Sequence, residues 1–181
     1  YIGGSADYDL AVLKVTGESF NIVKNSSAMQ VTFADSDDIQ VGENAIAIGN
    51  PSGGGMSVSS GIISQTSERI SVTIAGKKRS LRCFRIDTAV NQGNSGGGLF
   101  DSNGEFLGIV NAKITSSLVD NIANAICSNN VKNVVENIIY NYTNNNESGE
   151  SVGVKKVVFG VTYTACDQNN VYDEENSTNT V

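Results

Sequence analysis

The sequence predicts an all-β domain, and three observations carry that expectation. Glycine is abundant, with 19 residues against a single proline, which suits a chain rich in tight turns. Val and Ile recur in short apolar runs, and clusters of Gly, Asn, Asp and Ser separate those runs. Hydrophobic residues make up 39% of the 181, enough to bury the core of one domain with little left for a second.

The elements follow in chain order. Residues 10–15 are continuously apolar apart from Lys14 and read as a buried strand. Residues 45–48 form another, closed by Gly49-Asn50-Pro51. Residues 58–65 alternate loosely around Gly61, where a strand glycine signals a bulge or a close backbone approach. Residues 70–75 and 81–86 flank the basic run Lys77-Lys78-Arg79 and read as a hairpin with that run at its tip. Leu99-Phe100, the turn Asp101-Ser102-Asn103-Gly104 and residues 105–114 form a second hairpin, with Asn-Gly as its turn signal. Strands so short and so evenly spaced point to a β-barrel or a sandwich. Val131, Val134, Val135, Ile138 and Ile139 then recur at helical spacing behind Ser128 as N-cap, so one amphipathic helix should lie against the β domain. Residues 141–151 are polar and aperiodic and read as a linker, residues 155–164 resume as a strand, and the acidic, Asn-rich stretch from Asp167 is expected to be disordered.

A net charge of −7 and a pI near 4.5 argue against nucleic acid or an anionic membrane as the main partner. Cys83, Cys127 and Cys166 are odd in number, far apart and without His, so buried free thiols are expected in place of a disulfide framework or a zinc site. No secretory signal and no apolar run of membrane-spanning length is present in these residues.

The chemistry centres on Gly93-Asn94-Ser95-Gly96-Gly97. A Ser held between glycines lets the backbone turn sharply, so that N–H groups converge beside the hydroxyl where a carbonyl oxygen would turn negative. Preorganised donors at such a spot lower an acyl-transfer barrier by roughly 3–4 kcal/mol. The motif does not lead from a strand into a helix, which excludes the nucleophile elbow of α/β-hydrolases. The triple glycine 53–55 lacks the Gly-Lys-Ser/Thr that a phosphate loop needs and reads as a flexible loop. A Ser nucleophile also needs a base, and the chain contains no histidine.

Four ordered blocks resemble the HtrA-type (Deg) serine proteases. The first is Tyr8-Asp9-Leu10-Ala11-Val12-Leu13-Lys14-Val15, like the strand carrying the triad Asp. The second runs from Ala47-Ile48-Gly49-Asn50-Pro51 through Ser60-Gly61-Ile62-Ile63-Ser64, like the segment crossing between the two barrels. The third, residues 87–111 around Gly93-Asn94-Ser95, is like the nucleophile region, and the fourth, residues 125–135, is like the closing strand and helix. The resemblance implies an all-β, trypsin-like double β-barrel, its first barrel incomplete here, with a C-terminal helix.

It also implies roles, position by position. Asp9 and Ser95 would be the catalytic pair, and the N–H groups of Gly93 and Ser95 the oxyanion hole. Val110, Asn111 and Ala112 would pair with extended substrate, and Ala89 would sit at the base of the primary pocket. An Ala there disfavours Arg or Lys and suits a small apolar side chain before the scissile bond. By itself Asp9 reads equally as a surface residue ahead of a strand; its order before Ser95 is what favours catalysis. Asp87 occupies a non-triad position and is expected to be a structural hydrogen-bonder. Departures from the family pattern are Gln92 and Cys127, where the family usually has proline. The family His lies upstream of the Asp strand, so the chain is expected to be a fragment that is inactive alone. The implied organisation is a protease domain over residues 1–140, a linker over 141–154, and the start of a PDZ-like domain with a disordered tail over 155–181. The implied whole is an extracytoplasmic protein, possessing an N-terminal anchor and forming trimers, that cleaves unfolded or extended polypeptides without a metal or organic cofactor. A non-catalytic peptide-binding module is the competing expectation.

Overall fold

The computed structural model describes residues 1–25, 30–74, 76–91, 93–111, 122–144 and 150–155. Strands β1 (Gly3–Ser5) and β2 (Leu10–Val12) form a hairpin, followed by helix α1 (Gly17–Asn25). Next come β3 (Asn44–Gly49), β4 (Ser57–Ile74), β5 (Lys77–Ile86), β6 (Gly98–Phe100), β7 (Phe106–Asn111) and β8 (Ala123–Cys127). Helix α2 (Ser128–Asn144) and a short β9 (Val152–Gly153) complete the described fold.

Strands β3-β4-β5-β8-β7-β6 close into a barrel, sealed by β3 against β6 through Ile46↔Phe100, Ala47↔Leu99 and Ile48↔Gly98. Closure leaves no exposed edge, and side chains must fill the interior. Phe84, Ile63, Ile86, Leu99 and Leu107 do so, and Ala45, Ala47, Ala123 and Ala125 give them room. A second core lies outside the barrel wall. There Val131, Val134 and Ile138 of α2 meet Ile2 and Leu10 of the first hairpin and Ile70, Val72, Leu81, Cys83 and Ile126 of the barrel strands. The first hairpin belongs to a separate three-stranded sheet, β2-β1-β9, in which β9 runs parallel to β1.

The all-β expectation with a late helix therefore holds, while several details differ. Residues 47–64 do not cross between barrels: β3 and β4 are antiparallel neighbours in one barrel, because Asn50-Pro51 starts a short 3₁₀ turn that reverses the chain. The strand expected over residues 10–15 stops at Val12 as β2, leaving Leu13 71% exposed. Helix α1 has no counterpart in the sequence reading, and Phe20 on it is half exposed. The basic run begins β5 at the tip of the β4–β5 hairpin, as expected, with Lys77 paired to Ile74 across the turn at Gly76. Helix α2 runs on to Asn144, into the expected linker, because the Asn141 side chain is buried and donates to the Asn137 carbonyl at 2.9 Å. Ile139 faces out of it, 45% exposed.

Ser128 does not cap its own helix. Its Oγ donates to the Ala34 carbonyl at 2.7 Å, and the Ser36 hydroxyl accepts from the Asn129 N–H instead. Asn129 also donates to Asp35, which together with the Asp37 N–H holds that carboxyl below its ordinary range. Gly61 does mark a close approach: a Cβ there would lie 2.3 Å from Asp87 Oδ1. Residues 156–181, with the expected strand, PDZ-like start, tail and Cys166, lie outside the described residues. Among the described residues no helix is long and apolar enough to cross a membrane.

Cys83 and Cys127 are free and buried, as expected. Burial pushes the Cys83 thiol up to about 12 and the Cys127 thiol up to about 11. In the unfolded chain both would ionise near about 8.5. Stability from keeping them neutral is thus fully present below that range and is lost as pH climbs toward the folded values. The expected result is negligible iodoacetamide labelling of either residue at pH 8 in the native protein and full labelling in urea, read by peptide mass spectrometry.

Candidate active site

The short strand β6 is preceded by a turn that the sequence could build only with glycine. Gly93 (φ 102°) and Gly96 (φ 85°) are in the left-handed region, where a side chain would be strained. Gly97 is needed for another reason: a Cβ there would lie 2.4 Å from the Ile48 carbonyl oxygen. The turn is fastened by Asn94 N–H to the Asn91 carbonyl at 3.0 Å and Gly97 N–H to the Asn94 carbonyl at 2.9 Å. Asn94 is buried against Gly49, whereas Ser95 beside it is exposed. The turn thus has a fixed root, with Ser95 standing exposed on it.

Strand β7 mounts this turn. Val110 accepts from the Gly96 N–H and donates to the Gly97 carbonyl, each at 2.9 Å. Its side chain is buried in the barrel core. The expectation places Val110 on the substrate-pairing strand; its backbone N–H and carbonyl are engaged by the turn that carries Ser95. The next residue, Asn111, is 4% exposed and donates from Nδ2 to Asp9 Oδ2 at 3.1 Å. Asp9 sits at the end of the loop joining β1 and β2, whose last pair is Ser5↔Leu10. Its φ of 55° is a conformation that Asp tolerates better than most side chains.

Two neighbouring residues at the end of one strand therefore join the two expected catalytic residues. Val110 grips the Ser95 turn, and Asn111 grips the Asp9 carboxylate. Sequence reasoning misses the role of Asn111 toward Asp9. The available signal is a polar residue ending the apolar run Phe106-Leu107-Gly108-Ile109-Val110, since a buried amide requires a partner. Asp87 Oδ1 accepts from the Ile62 N–H at 2.6 Å, which fits the structural bonding expected of it. Ala89 is exposed, and its carbonyl accepts from Ser59 Oγ at 2.8 Å. Ala112 and Gln92 lie outside the described residues. Among the described residues, no group of three or more His, Cys, Asp or Glu is placed to hold a metal ion.

Residues 2–109, which include both Asp9 and Ser95, match the family described as trypsin-like peptidase domain. The chain belongs to this family. The trypsin-like domain is 37% identical over 133 residues to the serine protease Do-like HtrA of Bacillus subtilis (strain 168), covering 72% of this chain and 28% of that protein. It is 38% identical over 134 residues to the "Probable periplasmic serine protease do/HhoA-like" of Haemophilus influenzae, covering 74% of this chain and 27% of that protein. Among solved structures, "HtrA-type protease AlgWS227A with tripeptide" superposes with a TM-score of 0.62 at 32% identity, covering 82% of this chain and 43% of that one. The resemblance to HtrA-type proteases is thus supported by both sequence and fold. The chain spans less than a third of the length of the curated relatives it matches.

Proposed function

We propose that this trypsin-like domain supplies the Asp and Ser of a serine endopeptidase of the HtrA type. The observation that supports the reading is the end of β7, where Val110 bonds the backbone of the Ser95 turn and the next residue, Asn111, bonds Asp9. Ser95 Oγ would attack the scissile carbonyl, transferring its proton to an imidazole and forming an acyl-enzyme with release of the amine. Water would then hydrolyse the ester by the same route in reverse. None of the 181 residues is a histidine, so in this reading the imidazole comes from polypeptide outside them. Asp9 would orient that ring and stabilise its charged form. The N–H groups of Gly93 and Ser95 would receive the developing oxyanion; the left-handed Gly93 provides the backbone freedom for such a nest.

Substrate pairing in this reading falls to the backbone of Asn111 and Ala112, and Ala89 would favour a small apolar residue before the cleaved bond. The domain division into 1–140, 141–154 and 155–181 remains part of the proposal, as do trimeric assembly and unfolded or extended polypeptide as substrate. The superposed HtrA-type protease was solved with a tripeptide, which is in keeping with polypeptide ligands. An extracytoplasmic location is supported by the Haemophilus relative, whose name calls it periplasmic, and membrane anchoring is proposed with it.

A full-length protein cleaving reduced casein and peptides with Val, Ala or Ile before the scissile bond, in a Ser95-dependent way, is the expected result. Best cleavage after Arg would overturn the pocket reading. Binding of the same peptides without any Ser95-dependent cleavage would favour the non-catalytic peptide-binding module. The 181-residue chain alone should retain at most the part owed to the oxyanion hole and binding, about 10³–10⁴ over water.

A further inference from the structure

The loop that carries Asp9 is held from a second side. Strand β8 pairs with β5 only over Cys83–Ile86, so residues 77–82 pair with β4 alone and form a two-stranded arm beyond the barrel. The apolar face of this arm, Ile70, Val72 and Leu81, packs in the same core as Ile2 and Leu10 of the Asp9 hairpin. At the edge of that contact Arg79 Nε lies 2.5 Å from Asp7 Oδ1. Only Ala6, Asp7, Tyr8 and Asp9 separate the paired residues Ser5 and Leu10, so Asp7 and Asp9 belong to one tight loop. Within it, Tyr8 N–H donates to the Ser5 carbonyl at 3.3 Å and Asp9 adopts its left-handed φ of 55°. A non-Gly residue keeps such a conformation only where its surroundings over-determine it.

We infer that Asp7 and Arg79 are positioning residues for Asp9, their ion pair fixing the loop so that the Asp9 carboxylate is presented at the end of β7. This rests on the protease reading above. The barrel body grips Asp9 itself through Asn111, and the arm grips the same loop two residues earlier. Neither Asp7 nor Arg79 touches the reacting atoms; they act through the loop. With either charge removed, the loop keeps its apolar footing but loses this polar mount. Asp9 then samples orientations that no longer face the imidazole.

The side chains of Arg79 and Asp7 are 28% and 35% exposed, so solvent screens the pair and the expected effect is moderate. In the full-length protein, Asp7→Asn and Arg79→Gln should each lower kcat about 3–5-fold on a peptide substrate with KM unchanged. Arg79→Lys, which keeps the charge, should retain most of kcat. The reversed pair Asp7→Arg with Arg79→Asp should recover it relative to either single reversal. An unchanged kcat in both neutral variants would overturn the assignment. So would a loss that neither Arg79→Lys nor the reversed pair rescues, or an effect confined to KM. Ser95→Ala run alongside separates the two levels. Turnover that survives Ser95→Ala removes the protease reading and this role with it. Turnover abolished by Ser95→Ala but indifferent to Asp7 and Arg79 removes the positioning role alone.

Discussion

Asp9→Asn is expected to lower kcat of the full-length protein by about 10⁴-fold, the scale on which the orienting carboxylate of a Ser-His-Asp triad acts. The substitution isolates charge from shape. Asn has the size of Asp, tolerates the left-handed φ of 55° nearly as well, and keeps a carbonyl oxygen to accept from Asn111 Nδ2. The loop should therefore stay folded with its thermal midpoint unchanged. What disappears is the negative charge that stabilises the imidazolium and selects its tautomer. Steady-state kinetics on a chromogenic peptide measure the effect, and a loss below about tenfold would contradict a triad role for Asp9. Asp9→Ala is a poorer test, because it removes the Asn111 contact and places a Cβ without polar compensation in a left-handed backbone.

Phe84→Ala is expected to cost about 3–5 kcal/mol of folding stability. Phe84 is fully buried in the barrel interior among Ile63, Ile86, Leu99 and Leu107. The same core holds Ala34, Ala45, Ala47, Ala123 and Ala125, side chains too short to move into the space it would leave. The closed strand ring resists collapse for the same reason, so the cavity persists. For a domain of this size the loss corresponds to a drop of about 10 °C in thermal midpoint. Circular dichroism melts of the substituted and parent chains read it directly. Val58→Ala, on the outer face of β4 and 65% exposed, should move the midpoint by about 1 °C or less and serves as the control. Equal shifts in the two would mean that the barrel interior is not the core of the fold.

Those two sites also show what a sequence can convey. The Ser95 turn is legible because glycines at 93, 96 and 97 have few uses other than a bend that places backbone against backbone. The strands are legible where apolar residues run continuously, as in residues 45–48, although only Ala45 and Ala47 of that run are fully buried and Ile46 and Ile48 are half-buried on the other face. Topology is less legible. Nothing local in Gly49-Asn50-Pro51 tells whether the chain leaves for another barrel or turns back into the same one, and here it turns back. The extension of α2 to Asn144 is hidden because Asn141 and Asn137 satisfy one another across a turn of helix, a pairing that composition does not reveal. The links of Asp9 to Asn111, 102 residues away, and of Asp7 to Arg79 are products of folding; a single sequence carries no sign of which distant residue answers a given carboxylate.

The joining of Asp9 and Ser95 into one site is tested most directly by active-site phosphonylation. Full-length protein is treated with a fluorophosphonate, and the modified peptide is located by mass spectrometry. The expected result is stoichiometric modification of Ser95, slowed by orders of magnitude in Asp9→Asn, with the other serines untouched. Equal modification of Ser95 in the parent and in Asp9→Asn, or none at Ser95 at all, would contradict a shared catalytic site.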